Sequence, residues 1–347
     1  MNFASDNAGP VHPQVMEALR RVNEGYDHGY GNDPETEAAK AALRALFDAP
    51  QAEVFLMPGG TAANALTLGT LVQPWQAVYC SGLAHIHVDE CGAPEFYTGG
   101  AKLVPVVPGD QITPEALQKA WAFWDTGDVH QPSGGALSVT NTAERGNTYT
   151  LDELRVLFDM AHSRGLTVHL DGARFANAVA RLGCTPAEMS WKIGADAVVF
   201  GGTKNGCMGV EAVLFFDPEK ARGLPFRRMR SGHLLSKHRY LAAQMNAYLA
   251  DGLWLELARK ANATCAMLVE GMRHLGVEIT TQTPANLIYF RLPLRTHETL
   301  QAKGAVYYHM PEPGDGPDDM VRARLVCDWN LSEDAVTRFL ETLKAAL

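Results

Sequence analysis

The stretch VVFGGTKNG, residues 198–206, decides the fold that we predict for this chain. Its apolar, β-branched first half is typical of a buried strand, and two glycines end that strand directly before Thr203 and Lys204. A second stretch, TVHLDGAR at residues 167–174, ends in the same way at Asp171. Open α/β sheets bind ligands at the carboxyl ends of their strands, so we expect both side chains at one edge of one sheet.

A lysine and an aspartate at the same sheet edge predict a site for pyridoxal 5'-phosphate (PLP). Each motif alone is weak, because a lysine after Gly-Gly-Thr is often a surface or phosphate-binding residue and Asp-Gly is a common turn. Together they match what the cofactor requires. Lys204 would form a Schiff base with the PLP aldehyde, and Asp171 would keep the pyridine nitrogen protonated.

A third segment is typical of an anion site. A short strand at residues 53–57 is followed by Pro58-Gly59-Gly60-Thr61 and by a helix that runs to about Leu71. The first backbone N–H groups of such a helix, its dipole and the Thr61 hydroxyl point to one place. The alternative is a tight turn with Thr61 as the N-cap. Since the segment lacks the glycine patterns of nucleotide-binding loops, a single phosphate monoester is the better prediction.

The segment AHIHVDEC, residues 84–91, allows two interpretations. In the first, His85 stacks on the cofactor ring, while His87 carries protons or is a half-buried polar residue. In the second, the chain is a metal-dependent hydrolase whose ligands are His85, His87, Asp89 and Glu90. No further histidine or cysteine set with ligand spacing supports a metal, so we predict none.

The composition restricts the class of protein. The chain has 347 residues, of which 46% are hydrophobic, and a net charge of −9 that argues against nucleic-acid binding. No apolar run is long enough for a membrane span, and the first residues do not resemble a secretory signal. Six cysteines without a Cys-x-x-Cys pair are typical of reduced thiols. We therefore expect a soluble cytoplasmic enzyme that associates with neither nucleic acid nor membrane.

Strand and helix patterns alternate along most of the chain and predict the α/β class. We expect a large PLP-binding domain at residues 1–249, with a mostly parallel central sheet flanked by helices and an N-terminal arm. A smaller α+β domain is expected at residues 250–347. One long helix is predicted at residues 237–257. Asn141 ends a strand on the presumed cofactor edge, so it is a candidate cofactor contact.

Several of these motifs occur together, in one order, over almost the whole chain. In this combination of motifs, the chain resembles the low-specificity L-threonine aldolases, which are PLP enzymes with the aspartate-aminotransferase-type fold. The GGTKN form of the lysine loop looks closest to a bacterial branch that includes phenylserine aldolase. The motifs are Ser5-Asp6, Tyr30-Gly31-Asn32-Asp33-Pro34, Gly59-Gly60-Thr61, Ala84-His85-Ile86, His169-Leu170-Asp171-Gly172-Ala173-Arg174 and Lys204.

The resemblance implies a role for each matching residue. Lys204 would bind the cofactor aldehyde, with Thr203 beside it, and Asp171 would pair with the pyridine nitrogen. Arg174 would lie near the phenolic oxygen of PLP and close to the substrate. The phosphate would be bound by Gly59, Gly60 and Thr61, and the substrate carboxylate by Ser5 and Arg324.

The resemblance also implies a homotetramer, a dimer of dimers with active sites at the dimer interface. Arg230 belongs to a basic cluster that is either a solvated face or a source of phosphate ligands for a neighbouring subunit. Tyr30 lies in a loop that either lines the substrate site or covers a neighbouring subunit.

The implied reaction is cleavage of L-β-hydroxy-α-amino acids, such as threonine, allo-threonine and phenylserine, to glycine and an aldehyde. Many relatives have a histidine after the Asn-Thr pair, whereas Asn141-Thr142 is followed here by Ala143 and Glu144. This departure leaves the catalytic base open between His85, His87 and a water molecule. The alternatives are another PLP-dependent β-eliminating lyase, an aminotransferase on the same fold, or the metal-dependent hydrolase.

Overall fold

The computed structural model describes all residues, 1–347, and contains a central sheet of seven strands. In spatial order the strands are β1-β7-β6-β5-β4-β2-β3. Five neighbouring strands, β6, β5, β4, β2 and β3, are parallel to one another. β7 runs antiparallel to both of its neighbours, β1 and β6. The predicted α/β class with a mostly parallel sheet is therefore confirmed. The strands are β1 (Glu53–Met57), β2 (Gln76–Cys80), β3 (Lys102–Pro105), β4 (Ser133–Thr140), β5 (Thr167–Gly172), β6 (Ala197–Gly201) and β7 (Glu211–Phe215).

Helices flank this sheet, and several of them begin at side-chain caps that the sequence encodes. Asp33 caps α2, and Thr150 forms a reciprocal capping box with Glu153 at α7. None of the helices combines the length and apolar character that crossing a bilayer requires. The helices are α1 (Pro13–Val22), α2 (Pro34–Leu46), α3 (Gly60–Leu71), α4 (His85–Val88), α5 (Ala93–Thr98), α6 (Pro114–Trp124), α7 (Leu151–Ser163), α8 (Phe175–Leu182), α9 (Pro218–Ala221), α10 (Leu224–Arg230), α11 (Arg239–Leu249), α12 (Leu253–His274), α13 (Leu294–Ala302) and α14 (Glu333–Ala346).

A second, antiparallel sheet has the order β10-β11-β9-β8 and packs with α12, α13 and α14 around its own hydrophobic core. Phe3 is fully buried in this core, and its backbone bonds to Val306 and Val326 at 2.8 and 2.9 Å. The N-terminal segment is thereby fixed next to β11. The strands are β8 (Glu278–Ile279), β9 (Leu287–Pro293), β10 (Tyr308–Met310) and β11 (Met320–Val326).

The carboxyl ends of β5 and β6 approach each other very closely. Asp171 lies opposite Val199 in the parallel register, and Gly172 lies opposite Phe200. A Cβ at Gly172 would lie 2.2 Å from the Val199 carbonyl oxygen, and one at Gly201 would lie 2.4 Å from that of Ala173. Both positions therefore require glycine, and this close approach brings the residues after β6 next to Asp171.

The prediction of a single helix at residues 237–257 is wrong. α11 ends at Leu249 and α12 begins at Leu253, because Asp251 and Gly252 have φ values of +52° and +74°. This left-handed backbone is incompatible with a continuous α-helix, and Asp-Gly is a turn signal that could have indicated the break. The basic residues before α11 lie on a helix of their own, since Arg227–Arg230 belongs to α10.

Candidate active site

Lys204 lies on a single 3-10 turn directly after β6, and neighbouring side chains hold this turn rigidly. Asn205 donates hydrogen bonds to the Tyr248 hydroxyl at 2.7 Å and to the Trp254 carbonyl at 2.8 Å. The Tyr248 hydroxyl in turn donates to the Gly201 carbonyl at 3.2 Å. The break before α12 thus matters for the site, because it places the Trp254 carbonyl where Asn205 reaches it. Lys204 itself donates no hydrogen bond and forms no ion pair, so its amine is available for a ligand.

Glu211, the first residue of β7, supports the same turn from inside the protein. Its Oε2 accepts a hydrogen bond from the Gly202 N–H at 2.9 Å. Burial raises the pKa of Glu211 to about 7, although hydrogen bonds from Thr203 and Gly202 and the charge of Lys204 act in the opposite direction. The Thr203 hydroxyl also accepts from the Val210 N–H at 3.1 Å. Sequence analysis missed Glu211, whose only signal is an acidic residue at the start of an otherwise apolar strand.

Asp171, near the end of β5, is tied to α3 by a buried hydrogen bond from Asn64, which also binds Glu90. Asn64, on α3, donates to Asp171 Oδ2 at 3.0 Å and to Glu90 Oε1 at 2.9 Å. The other oxygen of Asp171 accepts from the Ala173 N–H at 2.9 Å. Asn64 was not predicted from the sequence. Its position four residues after Gly60, one helical turn into α3, is the only signal that it carries.

His85 starts the single turn of α4 and is paired with Glu90. The His85 Nδ1–H donates to Glu90 Oε1 at 2.9 Å, and the Glu90 side chain is fully buried. This hydrogen bond raises the pKa of His85, while burial has the opposite effect. Burial also raises the pKa of Glu90, because desolvation outweighs the bonds from His85 and Asn64. The pair therefore favours a protonated His85 with a fixed ring orientation.

The other members of the suspected metal cluster do not converge with His85. His87 and Asp89 are both exposed, and α4 ends at Val88. His85 bonds to Glu90 and not to Asp89, which directly follows the end of α4. No three histidine, cysteine or acidic side chains of the chain are placed to hold a metal ion together. The hydrolase alternative therefore gains no support from the geometry.

We expect Glu90→Gln to lower the pKa of His85, because an amide cannot balance the imidazolium charge. NMR titration of histidine-labelled protein measures this pKa, and His85→Asn identifies the resonance. The pKa of His85 is raised above its ordinary value of 6.5. The stabilisation by this pair is therefore fully present below pH 6.5 and is lost as the pH rises through the folded-state value. An unchanged titration in Glu90→Gln would contradict this assignment.

The segment before α3 forms an open cradle of backbone N–H groups. Gly59 is the N-cap and provides no side-chain hydrogen bond, and a Cβ built at Gly59 or Gly60 meets no atom within 4 Å. Thr61 is exposed. The cradle lies beside the lysine turn, since a Cβ at Gly209 would be 3.5 Å from the Pro58 carbonyl oxygen. Free N–H groups at the start of a twelve-residue helix suit a phosphate group.

Two arginines lie on the other side of the site, next to the N-terminal segment. Arg174 forms a buried, bidentate pair with Asp6, with distances of 2.7 and 3.0 Å from its Nε and Nη2. Asn286 donates to the same carboxylate at 3.1 Å. Arg324, on β11, donates to the Ala4 carbonyl at 3.0 Å, and its buried Nε has no partner. Arg324 therefore lies next to Ala4 and Ser5 and still has an unused N–H donor, as the predicted carboxylate site requires.

Three predicted site residues make no side-chain hydrogen bond to this cluster, although the Asn141 N–H donates to the Asp171 carbonyl at 3.1 Å. Asn141 is fully buried, and its side chain bonds to the backbone of Tyr149 instead. Tyr30 is 53% exposed and bonds through its backbone to Ser236, and Arg230 is exposed on α10. The roles predicted for these three residues remain predictions.

An unpaired lysine after β6, a buried aspartate on the adjacent strand and an open N–H cradle form a site to which PLP fits. Comparison with known proteins decides the family. A model of the beta-eliminating lyase family matches residues 2–311. The chain belongs to this family. Beta-eliminating lyase family membership confirms the predicted PLP cofactor and the assignment as a lyase.

Individual members of the family cover nearly the whole chain. A low-specificity L-threonine aldolase of a Pseudomonas species is 37% identical, with 99% of this chain and 97% of the relative aligned. The solved structure of a Leishmania major threonine aldolase matches with a TM-score of 0.92 at 26% identity, covering 99% and 98% of the two chains. An aspartate aminotransferase of Thermus thermophilus has a TM-score of 0.71 at 17% identity, covering 98% and 89%, and shows the shared fold. The resemblance stated from the sequence is thus confirmed.

Proposed function

We propose that this chain is a PLP-dependent aldehyde-lyase that cleaves L-β-hydroxy-α-amino acids to glycine and an aldehyde. Threonine, allo-threonine and phenylserine are the proposed substrates. The observation that carries the proposal is the unpaired Lys204 beside the buried Asp171, in a chain 37% identical to a threonine aldolase. When bound, PLP supplies an electron sink for the pair released from the Cα–Cβ bond.

In this proposal each part of the site has one task. Lys204, whose amine has no partner in the protein, would hold the cofactor through its aldehyde group. Asp171, oriented by Asn64 and the Ala173 N–H, holds a proton on the pyridine nitrogen. Gly59, Gly60 and Thr61 bind the phosphate. His85, oriented by its hydrogen bond to Glu90, would lie against the ring of the cofactor.

The substrate carboxylate is assigned to Arg324 and Ser5. Arg324 has an unpartnered buried Nε, and a planar guanidinium binds a carboxylate through two parallel hydrogen bonds. We expect Arg324→Ala to raise KM for the amino acid about 10-fold to 100-fold, as loss of a charge-assisted bond should, with a smaller effect on kcat. Steady-state kinetics with L-threonine measures both values. An unchanged KM would remove Arg324 from the carboxylate site.

The proposal is tested by the absorbance spectrum and by aldehyde release. Purified protein incubated with PLP should show a near-ultraviolet or visible cofactor band that borohydride alters irreversibly. It should also release acetaldehyde from L-threonine and benzaldehyde from phenylserine. A band without aldehyde release would exclude aldol cleavage and leave another PLP reaction. The absence of any band after incubation with PLP would overturn the cofactor assignment.

A second candidate is β-elimination, which the description of the matching family model favours. It requires a leaving group on Cβ, whereas aldol cleavage requires a hydroxyl group that loses its proton. The two are distinguished by product, since elimination from an amino acid gives a keto acid and ammonia. An aminotransferase would instead form a keto acid only with an amino acceptor.

We further propose a homotetramer, a dimer of dimers, in which Tyr30 and Arg230 reach the active site of a neighbouring subunit. The support is that both are exposed, as are Phe226 and Met229 beside Arg230 at 78% and 59%. Sedimentation velocity measures the assembly. We propose a cytoplasmic location because all six cysteines are free thiols, which an oxidising compartment would disfavour.

A further inference from the structure

The turn that follows β4 brings a carboxylate into the active site. Glu144 lies two residues after Thr142, and β4 is the parallel neighbour of β5, with Thr140 opposite Asp171. This register places the turn at the sheet edge where β5 and β6 end, and the charges of Arg174, Lys204, Asp171 and His85 act on Glu144 there. Its own charge acts in turn on His85 and Arg174. None of the roles assigned so far uses Glu144.

The backbone on both sides of Glu144 is fixed by hydrogen bonds. The Ala143 N–H donates to the Asn147 carbonyl, and the Gly146 N–H donates to the Ala143 carbonyl, each at 2.8 Å. Asp110 accepts from the Arg145 N–H at 3.1 Å. The result is a tight turn with Glu144 near its tip.

The same turn is held against the second sheet. The Thr281 hydroxyl donates to the Arg145 carbonyl at 2.7 Å. Gly146 has a φ of +87°, and a Cβ there would lie 2.4 Å from the Leu287 carbonyl oxygen. Only glycine fits this position, so Glu144 is presented by a turn of fixed shape and not by a mobile loop.

The carboxylate of Glu144 is held in the site without a fixed partner. It accepts no hydrogen bond and forms no ion pair, although Lys204 and Arg174 are close enough to influence it. Arg174 is already engaged in its bidentate pair with Asp6. A half-buried carboxylate that lies on a rigid turn and has no hydrogen-bond partner is suited to exchange a proton with a bound substrate.

The two other acid–base candidates are less suited to accept a proton. His85 donates its Nδ1–H to Glu90, an arrangement that favours the protonated ring. His87 is exposed and makes no hydrogen bond to the cluster. Burial raises the pKa of Glu144, although the positive charges of Arg174 and Lys204 act in the opposite direction. A raised pKa lies closer to neutral pH than that of an ordinary carboxylate. A base with a pKa nearer the working pH is the more effective one.

We propose that Glu144 is the catalytic base that takes the proton from the β-hydroxyl of the substrate. This inference rests on the proposed function and names the base for it. The O–H electron pair becomes the second carbon–oxygen bond of the aldehyde, and the pair of the broken Cα–Cβ bond stays at Cα. One proton is then taken up at Cα, so glycine and aldehyde together contain every atom of the substrate. No oxidant or reductant is needed.

Glu144→Gln tests the proposal, because an amide has the same shape but accepts no proton at these pH values. We expect kcat for L-threonine to fall about 100-fold to 1000-fold, the usual contribution of a general base. The rate at which the glycine α-proton exchanges in D2O should change less than about threefold, because glycine has no hydroxyl group for the base to deprotonate. The affinity of the apoprotein for PLP, measured by equilibrium dialysis, should be unchanged. Glu298→Gln, at an exposed position on α13, is the matched control and should behave as wild type.

A pH profile separates a base from a structural residue. The acidic limb of kcat/KM in the wild type should lie above 4.5, the ordinary glutamate value, and should be absent in Glu144→Gln. The groups that face Glu144, namely Lys204, Arg174, Asp171 and His85, are the same in both proteins. Full kcat in Glu144→Gln would overturn the proposal. Parallel loss of cleavage, glycine exchange and PLP affinity would assign Glu144 a structural role and overturn it too. If the wild type released no aldehyde, the proposed function itself would have failed.

Discussion

Replacing Lys204 by alanine is expected to abolish both aldol cleavage and the borohydride-sensitive absorbance of the cofactor. Lys204 follows the strand that pairs with β5, and its amine has no hydrogen-bond or ion-pair partner in the protein, so we expect no other side chain to take over its bond to the cofactor aldehyde. We expect kcat to fall at least about a thousandfold, as for other covalent catalytic residues. Aldehyde release from L-threonine and the absorbance spectrum measure the two effects.

The control for this substitution is Lys192→Ala. Lys192 is a surface lysine whose amine pairs with Asp48 at 2.9 Å, so its loss removes a positive charge without touching the site. Lys204→Arg adds a second comparison, since it retains the charge but cannot form the covalent bond. Full turnover by Lys204→Ala would refute the proposed function. Loss of turnover in Lys192→Ala would show that the assay responds to charge or folding.

Replacing Asp6 by asparagine is expected to destabilise the fold more than any surface substitution. Asp6 is 4% exposed and holds both bonds of the Arg174 guanidinium, with Asn286 on the same carboxylate. Without the carboxylate, the Arg174 charge stays buried and unbalanced, which costs about 3–5 kcal/mol. Denaturant unfolding of the apoprotein, followed by circular dichroism, measures the change. Asp48→Asn, which breaks the exposed pair with Lys192, should change the free energy of unfolding by less than about 1 kcal/mol.

The same pair predicts a pH dependence of stability. Burial alone would raise the pKa of Asp6, but the charges of Arg174 and Lys204 and the hydrogen bonds lower it below its ordinary value of 3.8. A carboxyl with a depressed folded-state pKa stabilises the fold above pH 3.8, and this contribution is lost as the pH falls through the folded-state value. The difference between wild type and Asp6→Asn should therefore shrink below about pH 4. A difference independent of pH over that range would speak against the ion pair.

Local sequence patterns predicted the elements that carry the site. The apolar run at residues 198–201 and the glycines after it indicated the strand that leads to Lys204, and β5 was recognised in the same way. Both strands lie where predicted because parallel pairing and burial on two faces require a continuous apolar run, which is visible in the sequence. The cradle at Gly59 and Gly60 was predicted because a strand, two glycines and a helix are local features.

Side-chain partners were not predictable in the same way. Asn64 and Asp171 are 107 residues apart in sequence, and Asp6 and Arg174 are 168 apart, so no local pattern relates them. The partner of His85 was not visible in the sequence either, because α4 ends after one turn and the chain beyond it brings Glu90 to His85. The role of Asn141 as a cofactor contact remains a prediction, while its side chain bonds to Tyr149.

By itself, the sequence determined the fold class, the two strands that end at Asp171 and Lys204, and the PLP cofactor, because each depends on residue order and on hydrophobic patterns. Only the tertiary structure decided which groups surround the lysine. Glu144, Glu90, Asn64 and Asp6 come from four separate segments, and sheet order, the close approach at Gly172 and Gly201, and the fixed turn at Gly146 bring them together. Proton transfer and charge balance depend on distances of a few ångströms between such groups, and packing alone sets those distances.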